Sequence, residues 1–131
     1  MTDTKVDSKA QFLSAVDRVA EIATARQAIH EKLQELRDQL HVMQSRHILD
    51  VGTARDPKGK AVYSNEELRR AALTFRLSED SVYQSVLAQA RKLEREDEEL
   101  VVEHNRVVDQ KALMMIELGL APRGGEDIPQ V

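Results

Sequence analysis

Apolar residues in the N-terminal part of the chain recur at alternating spacings of three and four. The ladder runs Phe12, Ala15, Val19, Ile22, Arg26, Ile29, Leu33, Leu36, Leu40, Met43 and His47, and only Arg26 and His47 in it are polar. Such an alternation, held over several heptads, is the signature of a coiled-coil seam. It predicts one helix over residues 9–51, after a flexible polar start at residues 1–8. Gly52 fits the left-handed position just past a helix end. A second ladder, Val86, Ala90, Leu93, Asp97, Leu100, His104, Val107, Lys111, Met114 and Leu118, predicts a helix over 79–118. Gly119 suits its end, Pro122 forbids continuation, and residues 119–131 read as a flexible Gly/Pro-rich tail.

Between the ladders lies a compact insert. Asp56-Pro57-Lys58-Gly59 has the residues a β-turn asks for at its first, second and fourth positions. Residues 52–63 therefore form either an extended loop or a small β-hairpin. Ser64 and Glu67 have capping-box spacing and open a short helix over 64–77, with Leu68, Ala71, Ala72 and Phe75 as its expected buried face. Ser78-Glu79-Asp80-Ser81 is a run of cap-forming residues and predicts a corner, and Ser81 with Gln84 repeats the box spacing.

Two long helices around a short insert make an all-α, coiled-coil-like antiparallel helical hairpin, with the loop and short helix at its tip. Near the open end the apolar stripe widens on both helices. Phe12, Leu13 and Val16 do this on the first helix, and Val101, Val108 and Met115 on the last. One partner helix cannot cover so wide a stripe. The expectation is a homodimer or higher homo-oligomer with a four-helix core, these six residues being candidate contacts.

Composition narrows the class. The 131 residues include no cysteine or tryptophan, five glycines and 3% aromatics, and 32% are charged. One domain fits this length. Disulfide scaffolds and thiolate metal sites are excluded, and an all-β fold is disfavoured. The N-terminus lacks the apolar run of a signal peptide, and no stretch approaches a membrane span. A cytoplasmic protein without membrane contact is the expectation.

The net charge of −4 is unevenly spread. Residues 52–77 hold six basic and three acidic residues, whereas 78–103 hold three and eight. The basic tip, Arg55, Lys58, Lys60, Arg69 and Arg70 with Tyr63 for stacking, is a candidate partner or phosphate contact. Glu94, Glu98 and Glu99 form a candidate acidic docking face, or else a solvated face balanced by Arg91, Lys92 and Arg95. Arg26, Asp97 and His104 sit on the seams, where polar residues fix alignment at some cost in stability. A buried Arg26 needs Asp97 or a neighbouring Glu, because an unpaired buried charge is very costly.

The four histidines lack the Glu-x-x-His spacing of a di-metal bundle. No Gly-rich phosphate loop, Ser/His/Asp set or carboxylate pair in a plausible pocket is visible. The sequence therefore predicts neither an enzyme nor a metal or cofactor.

Residues 63–73, Tyr63 to Leu73, a corner with Tyr83 and a charged coiled-coil helix resemble small helical proteins of bacteriophages and prophages, over about residues 58–118. That resemblance carries no assigned activity. It implies a phage-linked setting, in which such accessory proteins often accompany DNA recombination or counter host defence. The hairpin is also similar in outline to prefoldin subunits, which join coiled-coil helices by β-hairpins; here the insert holds a helix. The expected function is an interaction protein that binds an unidentified protein through its tip or acidic face. The alternative is a nucleic-acid accessory factor gripping through the basic tip.

Overall fold

The computed structural model describes residues 3–119, with side chains from residue 7 onward. The expected tail lies outside the described residues except for Gly119. Three helices follow one another: α1 (Asp3–Thr53), α2 (Glu66–Glu79) and α3 (Ser81–Glu117). Among the described residues there is no strand, so the fold is all-α. None of the described helices is long and apolar enough to cross a membrane.

α1 starts earlier than the hydrophobic ladder indicates. Asp7 lies in its second turn, near the positive end of the helix dipole. It also ends later. Gly52 remains helical, and the positive-φ glycines are Gly59 and Gly119. The helix expected to end at residue 51, with Gly52 left-handed just beyond it, runs on to Thr53, whose Oγ1 donates to Leu49 O at 2.7 Å.

Loop 54–65 is a pinched turn, intermediate between the extended loop and the hairpin that the sequence allows. One antiparallel bridge joins Arg55 to Ala61, and Val62 N–H donates to Ala54 O at 3.0 Å. Gly59 N–H donates to Asp56 O at 2.9 Å, closing the Asp56–Gly59 turn. Gly59 adopts φ +81, a region that L side chains resist. The Asp56 carboxylate accepts from the Lys58 and Lys60 N–H groups, both at 2.9 Å.

α2 begins at Glu66, later than expected. Asn65, not Ser64, is its N-cap: extended at φ −134 and ψ 169, it accepts the Leu68 N–H on Oδ1 at 2.9 Å. Asn caps as well as Ser, and here its side chain reaches the third helical N–H. Glu66 and Glu67 fall in the first turn, where the dipole favours them. Asp80 makes the corner. Its N–H donates to Arg76 O, its carbonyl accepts from Gln84 N–H, and its Oδ1 accepts from Tyr83 N–H at 3.0 Å. The Gln84 amide donates to Leu77 O at 2.9 Å. The Ser81–Gln84 box is thereby replaced by a cap on Asp80.

The ladder positions from Phe12 to His47 and from Val86 to Leu118 are all at least partly buried. Packing divides into two units. Among the described residues the first takes in those up to Ala28 and those from Asp97 onward, the second residues 29–96. In the first, Ala15 and Ile22 are buried, and rising positions on α1 pair with falling positions on α3. In the second, Leu33 and Leu36 pack with Val86 and Ala90, ringed by Ile29, Leu40, Met43 and Leu93. Full burial of a leucine or valine such as Leu33, Leu36 or Val86 contributes about 1.5–3 kcal/mol.

Candidate functional site

The loop and α2 form one surface of the second unit. Arg55, Lys58, Lys60, Arg69 and Arg70 are exposed, and Tyr63 is half-buried. Arg69 Nη1 donates to the Tyr63 carbonyl at 3.3 Å, and Arg70 pairs with Glu66 at 3.1 Å. Arg55 Nη1 donates to the carbonyls of Gly52 and Ala54. Asp56, by contrast, has its carboxylate taken up inside the turn.

The expected buried face of α2 is corrected. Leu68 is 46% exposed, Phe75 66%, and Ala71 is exposed; only Ala72 of that set is partly covered. The covered residues are Ala72, Leu73, Arg76 and Leu77. Arg76 lies on that covered side, its guanidinium 3.7 Å from Asp50 on α1. Leu68, Ala71 and Phe75 consequently face outward. The last two border a shallow depression completed by Glu67, Arg70, Thr74 and Ser78.

Beside α2 a polar cluster joins α1 to the corner. His47 Nε2 lies 2.8 Å from Asp80 Oδ2, and Gln44 Nε2 donates to the Tyr83 hydroxyl at 2.8 Å. His47 Nδ1 is buried without a hydrogen-bond partner. An Nε2–H tautomer, donating to the carboxylate, leaves Nδ1 as a lone pair and avoids a stranded buried N–H. The His47 hydrogen bond, then the Tyr83 N–H, hold the Asp80 carboxyl below its ordinary range. Tyr83 and Gln44 were not singled out by periodicity, and the run of cap residues pointed to the corner without choosing Asp80.

In the first unit Arg26 Nε donates to Asp97 Oδ1 at 2.9 Å. The hydrogen bond to Asp97 raises the Arg26 pKa above the ordinary guanidinium value. Both side chains are partly covered, at 34% and 18% exposure. His104 is also half-buried. A second, bidentate pair was not anticipated: Arg18 Nε and Nη2 donate to the two Glu103 carboxylate oxygens at 2.6 and 2.8 Å. Arg18 in turn holds the Glu103 carboxyl low. Arg18 and Glu103 flank the two seams, and opposite charges at such flanking positions are the signal that could have found them.

The acidic face is only partly free. Glu94 lies 3.5 Å from Arg37, while Glu98 and Glu99 are exposed. Of the candidate dimer contacts, Leu13 is 53% exposed and Val16 is exposed; Phe12, Val101, Val108 and Met115 are half-buried. Among the described residues no group of three or more potential ligands is placed to hold a metal ion. Comparison with protein-family models, with curated proteins and with solved structures finds no match to this chain.

Proposed function

We propose that the chain is a non-enzymatic interaction protein, a self-associating helical hairpin that recognises a protein partner through the tip formed by loop 54–65 and α2. The observation that carries this reading is the outward apolar stripe of α2. A helix that keeps Leu68 and Phe75 in water forgoes several kcal/mol of burial. Exposed apolar patches with a polar rim are common docking sites, and helix-in-groove recognition uses anchors at this spacing. The acidic face plays the smaller part, because Arg37 already engages Glu94.

The phage resemblance suggests a partner such as a nucleic-acid enzyme or a host-defence protein, met in the cytoplasm. The test is affinity capture from the native host, with mass-spectrometric identification of what co-purifies. The expected result is one protein retained by the native chain and lost with Leu68→Glu and Phe75→Glu. Equal retention by the variant contradicts the assignment to α2.

A second reading is supported by the exposed cations of the loop, Arg55, Lys58 and Lys60, whose nearest carboxylate is tied into the turn. It makes the tip a phosphate grip for DNA or RNA. Binding would then weaken steeply with salt and with Lys58→Glu and Lys60→Glu. No binding at low salt rejects it.

A further inference from the structure

We propose that the insert of the second unit, loop 54–65 with α2, is a flap that melts and re-forms on its own, while the ends of α1 and α3 beside it stay folded. It opens between Arg55 and Asp80.

Burial is the first reason. None of residues 54–79 is buried, and on α2 only Ala72, Leu73, Arg76 and Leu77 are partly covered. The long helices of the same unit differ, because Leu33, Leu36, Tyr83, Val86 and Ala90 are all buried. Val51, a turn beyond His47, is the buried α1 side chain nearest the insert in sequence. One valine and parts of two leucines are a small core for so long a segment, and few buried apolar contacts mean low local stability. The Arg76–Asp50 ion pair that joins α2 to α1 is 3.7 Å long and partly exposed on both sides, so it adds little. A helix of 14 residues is marginal in water once its packing is lost.

The second reason is that the flanking helix ends are closed without the insert. Thr53 Oγ1 donates to Leu49 O, and Arg55 Nη1 donates to the carbonyls of Gly52 and Ala54, so the last turn of α1 finds donors locally. At the other end Asp80 Oδ1 caps α3 through the Tyr83 N–H. His47 and Gln44 then tie Asp80 and Tyr83 to α1. None of these contacts uses a residue between 56 and 79. Opening breaks the insert's own contacts and leaves these in place. It also adds Leu73 and Leu77 to the apolar surface that α2 offers. A partner that takes the docked stripe of Leu68 and Phe75 holds the flap shut; this consequence alone rests on the partner site proposed above.

The test is hydrogen exchange of the full chain, read amide by amide by NMR with no partner present. Protection factors over residues 72–77 are expected to be lower than those of Val86 and Ala90 by about tenfold or more. Leu73→Ala keeps helix propensity and removes a partly covered side chain. It should lower protection in α2 by a further factor of about ten and leave Val86 and Ala90 unchanged. A smaller difference in the native chain, or an equal loss at all these amides in Leu73→Ala, means that the insert unfolds only together with the long helices and overturns the proposal. Because the chain is alone in this experiment, either outcome is independent of whether α2 is the partner site.

Discussion

Two carboxylate contacts make the stability of this protein sensitive to acid. Asp80 and Glu103 are carboxylates held low by His47 and Arg18 respectively. A carboxyl whose pKa is lower folded than unfolded binds fewer protons in the native state. Its contribution is complete above the unfolded values, 3.8 for Asp and 4.5 for Glu, and is lost as pH falls through the folded ones. The urea midpoint should therefore fall steadily below about pH 4. With Asp80→Asn and Glu103→Gln together, it should start lower at neutral pH and change less on acidification. An unchanged acid slope in that double variant would show that other carboxylates set the response. Salt should weaken the Arg18–Glu103 contribution, since Arg18 is substantially exposed.

At the scale of the element, the capping of α2 separates two neighbouring residues that the sequence makes equivalent. Asn65→Ala should destabilise the protein by about 1 kcal/mol, whereas Ser64→Ala should cost less than half of that. Equal losses in chemical denaturation would move the cap back to Ser64. The long helices were legible because their signal is repeated many times: Ile22, Leu33, Leu36, Val86 and Ala90 all occupy seam positions and all are buried. The Arg26–Asp97 contact was legible for the same reason, because an Arg on one seam demands a carboxylate on the other. The short helix was misread because it has few turns. Leu68, Ala71, Ala72 and Phe75 make as good an apolar stripe as any, and periodicity does not say whether a stripe meets the core or a partner. Packing of Leu73 and Leu77, with Arg76 beside Asp50, decides the rotation instead. The corner was ambiguous because Ser78, Asp80 and Ser81 can each cap a helix; the contact from His47, distant in sequence, selects Asp80.

The whole molecule has more apolar surface than one chain covers. Ala15 and Ile22 are buried in the first unit, while Leu13, Val16, Val102, Leu113 and Ile116 stand in solvent there. In the second unit Leu68, Phe75 and Val82 do the same. Low aromatic content does not offset this, because the exposed residues are mostly aliphatic and lie on helices. The proposed self-association would cover Leu13 and Val16, and the proposed protein partner the stripe on α2. Sedimentation equilibrium of the intact chain over a range of concentrations tests the self-association most directly. The expected result is a reversible shift toward twice the 14.8 kDa chain mass. A mass of 14.8 kDa at every concentration would contradict it.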